Sequence, residues 1–288
     1  MLTVDDASGR DRTWSRAWID AHLQDFEGDD PKAFRASDEM APASVAAALM
    51  ADDPGYDAGA VLDAAEAYLA IAPRTREGAI QHWGEGSYFD HLDQIWIDSQ
   101  FMFGMYFLQQ HRRTGDRAWL DRFVEQYALF SELCRDPDAQ LYRHAYDDSN
   151  GQRVPEEATF WNRGNSWVIV AGVELLALVG PQDPHWVTVQ PLVQAHAQAL
   201  ADLQASDGLW HTVLNSPQGV DPKNYTETSG SALIAYAMAR GHAAGALEGD
   251  DVMVTVDGVD HRLALDTIER AHLVLSLDEY QQLAESDS

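Results

Sequence analysis

The chain has 288 residues, one cysteine, and a net charge of -28 from 47 acidic against 19 basic side chains. That length supports one large domain or two small ones with a sizeable core. Cys134 alone excludes an intrachain disulfide, and the acidic balance excludes the basic footprint a nucleic-acid partner needs. Only Lys32 and Lys223 are lysines, yet 45% of the residues are hydrophobic, so the composition is not that of a disordered chain. A Lys-poor acidic surface reads as salt-adapted, because molar salt screens self-repulsion to about 3 Å. The opening "MLTVDDASGRDRTW" shows no basic n-region or apolar h-region, and no run of about 18 apolar residues occurs. The expectation is a cytoplasmic protein with no membrane partner.

Taken in order, the elements are almost all helical. Val61, Leu62, Ala65, Tyr68 and Leu69 recur at the spacing of one helix face. The apolar run "WIDSQFMFGMYFLQQ" (96–110) follows, then a stripe of Trp119, Phe123, Tyr127 and Phe130. "LYRHAYDDS" (141–149) reads as a polar loop, and "TFWNRGNSWVIVAG" (159–172) as a loop entering a helix. Val189, Leu192, Val193, His196, Leu200 and Leu203 form the next stripe, and Leu233, Tyr236, Ala237 and Arg240 another. Between these two, "QASDGLWHTVLNSP" (204–217) reads as helix end, turn and extended segment. "VMVTVDGVDHRL" (252–263) reads as a hairpin around Asp257-Gly258, and 275–288 as an acidic helical tail. Gly/Pro/Asp-rich breakers divide the chain into roughly nine helices. No composition shift marks a boundary, so 1–288 is read as a single all-α domain, a helical barrel or toroid with its site at the loop end.

Three stretches could carry chemistry. Asp98 heads an apolar run and has Met102 and Met105 at i+4 and i+7. It can be an N-terminal acid that favours the helix dipole. Alternatively it is a carboxyl against apolar walls, whose raised pKa suits a general acid. Trp161, Arg163, Asn165 and Trp167 crowd into seven residues. They read either as a capped helix start with packed tryptophans or as a sugar-acid subsite, in which rings stack on pyranose and the Arg fork binds a carboxylate. His144 and Asp147 share a polar loop where a substrate contact is plausible. No HExxH, CxxC, EF-hand, P-loop, GxGxxG or GxSxG occurs, so no metal and no cofactor are expected.

"PRTREGAIQHW" (73–83), "IWIDSQFMFGMYFL" (95–108), "LYRHAYDD" (141–148), "FWNRGNSW" (160–167), "SDGLWHTVL" (206–214) and "NYTETSGSALIAYAMARG" (224–241) come in one order. In that order they resemble the unsaturated glucuronyl and rhamnogalacturonyl hydrolases, glycoside hydrolase families 88 and 105, over about residues 36–247. The resemblance implies an (α/α)6 barrel. It also implies hydrolysis of oligosaccharides that end in a 4,5-unsaturated uronic acid. An Asp protonates the vinyl-ether double bond at C4, water adds at C5, and the hemiketal collapses to release the aglycone. One carboxylate serves as acid and then as base, so the two-carboxylate separation rule does not apply.

By the same resemblance Asp98 is the general acid/base and Asp38, in "ASDEMAPASV", the second Asp. His144, Trp161, Arg163, Trp167 and Trp96 line the uronate subsite, with Asn165 and His82 as further contacts and Asp147 as a loop-orienting acid. Only 37 residues precede Asp38, and after "MARGHAAGALEGD" the usual closing helices give way to the hairpin and acidic tail. The implied barrel is therefore open or distorted. A homo-oligomer could complete it, or the chain could be an inactive relative that binds sugar acids or serves as a scaffold. A helical-toroid epimerase is disfavoured, because no paired-His proton shuttle is found.

Overall fold

The computed structural model describes residues 12–27, 32–216 and 223–248, together with two strands within 251–264. Eight α-helices are present among the described residues: α1 (Thr13–Leu23), α2 (Ala41–Asp52), α3 (Gly59–Ile71), α4 (Ser99–Thr114), α5 (Ala118–Cys134), α6 (Asn162–Val179), α7 (Pro184–Ala201) and α8 (Thr228–Ala243). The expected hairpin is present as β4 (Asp251–Val256) and β5 (Val259–Ala264), paired antiparallel with Val256 opposite Val259. Its two turn residues, 257–258, and the expected acidic tail at 275–288 lie outside the described residues.

Local chemistry sets the helix ends. Pro42 enters α2, where its missing N–H costs nothing. Gly115, at φ 74°, closes α4 in the left-handed conformation that a Cβ disfavours. His111, Arg112 and Arg113 occupy the last turn of α4 and favour its dipole. The Asp183 carboxylate accepts from His185 N at 2.9 Å and caps α7.

The helices form two layers. α2, α4, α6 and α8 pack in a row as an inner arc, and α3, α5 and α7 back them. This is the inner-and-outer layering of an (α/α)6 barrel. The core lies between the layers and is rich in fully buried aromatics, among them Phe103, Tyr106, Phe107, Phe123, Tyr127 and Phe130. The inner faces of the arc line a cavity of about 570 Å³, with α2 and α8 on its two sides. Phe101, Met102 and Met105 of α4 face this cavity, and the Arg240–Glu174 ion pair, at 3.5 Å, lies on its wall. The apolar stripe assigned to residues 233–240 therefore ends at an exposed Arg240 on the cavity rather than in the core. No described helix is long and apolar enough to cross a membrane.

One element differs from the all-helical expectation. β1 (Gln94–Trp96), β2 (Ala145–Asp147) and β3 (Gln152–Val154) form a three-stranded antiparallel sheet at the N-terminal end of α4. Each strand has three residues, too few to show a period of two in sequence.

The close approach of helices around α6 depends on Gly172. A Cβ there would lie 2.5 Å from both Tyr127 Oη and Val193 Cγ2. Gly172→Ala is expected to lower stability by about 1–3 kcal/mol through overpacking. Thermal unfolding measures this, and an unchanged Tm would contradict the packing.

Candidate active site

The site lies where the inner helices begin. Asp38 precedes α2, Asp98 precedes α4, and Trp161 precedes α6. The small sheet joins its two halves: Trp96 pairs with Ala145, and Ile97 N donates to His144 O at 3.0 Å. Asp98 and His144, 46 positions apart, become neighbours, with Asp98 Oδ2 3.9 Å from His144 Nδ1. Ring contacts continue the wall. Trp96 meets His144 at 4.7 Å, His144 meets Trp161 at 5.2 Å, and the Arg163 guanidinium lies 4.6 Å from the centre of the Trp161 ring. Trp167 adds its ring beside Phe101 at 4.7 Å. Gly164 allows this crowding, because a Cβ would come within 2.8 Å of Ile97 and 2.9 Å of Trp161.

Asp98 heads α4, but its side chain makes no capping hydrogen bond. The carboxyl is 14% exposed, and Oδ2 is buried without a hydrogen-bond partner. Burial raises its pKa above the usual carboxylate value, against the opposing pull of His144 and His82 and with help from the negative charge of Asp38. Burial likewise lowers the pKa of His144, although Asp98 pulls it upward. Both shifts move the pair toward its uncharged forms.

Behind this wall is a second layer. His82 is fully buried and stacks on Trp96 at 4.7 Å and 17°. Its Nδ1 lies 2.8 Å from both Ser37 Oγ and Ser99 Oγ, and its Nε2 lies 3.3 Å from Asp38 Oδ2. His82 is thus not on the substrate surface as expected, because Trp96 covers it and its contacts point at Asp38. Asn165 is corrected in the same way. It is fully buried, and its amide is used by Tyr142 N and O, Trp161 O and His196 Nε2, at 2.8, 3.0, 2.9 and 3.1 Å. Asn165 ties the 142 loop to α6. Asp38 itself is open to solvent, its side chain 52% exposed.

Asp147, expected as a loop-orienting acid, bonds both within its own loop and to a neighbouring strand. Asp147 Oδ2 accepts from Gln94 Nε2, and Gln94 Oε1 accepts from Trp96 Nε1, each at 3.0 Å, so Asp147 orients the tryptophan through Gln94. The bonds from Ser149 and Gln94 hold the Asp147 carboxyl below its usual pKa. Sequence reasoning missed Ser37, Ser99, Trp83 and Glu227. Trp83 packs against His82 and Trp96 at 4.4 and 5.3 Å, and Glu227 pairs with Arg163 at 3.1 Å. Among the described residues no group of three or more His, Cys, Asp or Glu side chains is placed to hold a metal ion.

The site is thus an aromatic cleft with one largely buried carboxyl and one guanidinium at the helix-start end of an (α/α)6 barrel. The chain belongs to glycosyl hydrolase family 88, whose sequence profile matches residues 7–257. It is 30% identical over 174 residues to the unsaturated rhamnogalacturonyl hydrolase YesR of Bacillus subtilis, covering 60% of this chain and 48% of that protein. It is 37% identical over 160 residues to an unsaturated 3S-rhamnoglycuronyl hydrolase of Formosa agariphila, covering 53% of this chain and 41% of that one. The chain thus spans about half the length of these relatives or less. Among solved structures, a possible member of glycoside hydrolase family 105 from Salmonella enterica superposes with a TM-score of 0.71 at 24% identity, over 85% of this chain and 63% of that one. The unsaturated glucuronyl hydrolase of Bacillus sp. GL1 superposes at 0.61 and 20%, over 82% and 63%. At these identities the structural likeness establishes the fold.

The burial of Asp98 has a consequence for stability. The unfolded chain ionises this carboxyl near its ordinary value of about 3.9, whereas the folded chain holds its proton to higher pH. Between the two values the folded state binds more protons, so stability falls as pH rises through that window. Asp98→Asn removes this loss and breaks no capping bond. The variant is expected to gain Tm relative to the parent as pH rises from acid to neutral, with the gap closing in acid. Parallel Tm profiles would refute the raised pKa.

Proposed function

We propose that the chain hydrolyses oligosaccharides whose non-reducing end is a 4,5-unsaturated uronic acid. The observation that carries this reading is the Asp98 carboxyl, its pKa raised by burial in a cleft walled by Trp96, His144 and Trp161, with Arg163 over the last ring. A vinyl ether needs a proton donor at C4 rather than a nucleophile at the anomeric carbon, and an uncharged carboxyl supplies it. Asp98 gives its proton to C4, and the resulting carboxylate then takes one from the water that adds at C5. The hemiketal collapses and releases the aglycone. The negative charge of Asp38 opposes ionisation of Asp98 and holds the proton ready. Arg163 receives the uronate, and Trp161, Trp167 and Trp96 offer faces to the sugar. Hydrolase names among the relatives support the same chemistry.

The conjugated double bond absorbs in the ultraviolet, so turnover of mixed polysaccharide-lyase digests appears as lost absorbance. Asp98→Asn is expected to cut the rate by about 10²–10⁴-fold while the protein stays folded. The parent's kcat/KM should fall as pH rises through the raised Asp98 pKa, because the acid is then ionised. No absorbance loss from folded parent protein across several digests would instead favour a sugar-acid binding protein.

Salt adaptation belongs to the same reading. An anionic substrate approaches a chain of net charge -28, and screening removes that repulsion. Activity and Tm are both expected to rise from dilute buffer to molar salt. Full activity and stability in dilute buffer would contradict salt adaptation.

A further inference from the structure

Glu227 stands at the head of α8 and is buried, its side chain 8% exposed. Its carboxylate does two jobs. Oε2 accepts from Gly230 N at 2.5 Å and caps α8, while Oε1 accepts from Arg163 Nη1 at 3.1 Å and also from the Ser229 hydroxyl. The backbone fixes Glu227 in turn. Its N donates to Trp210 O at 2.8 Å, and the same carbonyl accepts from Asn162 Nδ2 at 3.1 Å, one residue before Arg163. Space around it is tight: a Cβ on Gly230 would lie 2.3 Å from Asn162 Oδ1 and 2.6 Å from Glu227 Oε2.

A capping acid needs no arginine, and an arginine in a cleft needs no buried acid. Here one rigid carboxylate joins the two neighbouring inner helices through the side chain that carries the cleft's positive charge. Arg163 is 41% exposed, so its other edge is open to the cleft while Glu227 and the Trp161 face hold the guanidinium plane. Free arginine side chains carry large rotamer entropy, and a pinned fork loses less of it on binding.

We propose that Glu227 is a positioning residue that pre-sets the Arg163 guanidinium for a carboxylate ligand. This rests on the reading of Arg163 as the uronate-binding group. Glu227 touches no substrate and acts only through Arg163.

Glu227→Gln keeps the shape and an oxygen for the cap, and removes the ion pair. In the ultraviolet assay KM is expected to rise about tenfold, the cost of re-ordering one long side chain at each binding event, with kcat within about twofold and Tm nearly kept. Arg163→Gln should raise KM, and adding Glu227→Gln to it should raise KM no further. A merely structural Glu227 would lower Tm, leave KM alone and add its effect fully in the double variant; either an unchanged KM in folded Glu227→Gln or full additivity overturns the proposal. A ligand-free readout keeps the two readings separable. The guanidinium resonances of Arg163, assigned by their absence in Arg163→Lys, should show hindered rotation in the parent by nitrogen NMR and lose it in Glu227→Gln. Hindered rotation that persists in Glu227→Gln overturns the positioning role whether or not the parent turns over any substrate. Hindered rotation lost in Glu227→Gln, with a parent that consumes no digest, sustains the positioning and rejects the hydrolase.

Discussion

The pairing of two three-residue strands is the constraint on which the site depends. Trp96 opposite Ala145, and Ile97 N on His144 O, bring the start of α4 to the 141–149 loop. Without that ladder, Asp98 and His144 belong to separate loops, and the aromatic wall from Trp96 through His144 to Trp161 has no middle. Two strands this short are marginal alone. They persist because Ile95, Ile97 and Ala145 are fully buried or nearly so, and the flanking helices hold the ends.

Burial then sets the chemistry. The same apolar run that makes α4 an inner helix carries Asp98 at its head, with the side chain only 14% exposed. Burial raises the pKa of that carboxyl because the charged form is poorly solvated, and neighbouring Asp38 adds to the effect. Burial also lowers the pKa of His144, although Asp98 pulls it upward.

Support for the wall comes from hydrogen bonds that never reach the cleft. Asp147 orients Trp96 through Gln94, Asn165 ties the 142 loop to α6, and His82 links the two serines to Asp38. Each is a polar group buried or half-buried and tied to at least one hydrogen-bond partner, which favours a fixed wall. Rigid aromatic walls keep a cleft's shape while the cavity below, on the inner faces of the arc, stays open.

The sequence by itself determined the helices, because a 3.6-residue period over three or four turns is a long signal, as in Val61 to Leu69 or Phe123 to Phe130. It also singled out Asp98, as the one acid heading an apolar run, and the Trp161–Trp167 cluster. Tertiary structure alone decided the rest. Strands of three residues carry no readable period, so the sheet that joins Asp98 to His144 was invisible. His82 and Asn165 look in sequence like any polar residue beside tryptophans, and only packing shows that both are buried, His82 behind Trp96. Glu227 drew no reading of its own, since a contact between positions 163 and 227 has no local signature. Local periodicity is written within one helix; burial and pairing across tens of residues exist only once the helices have met.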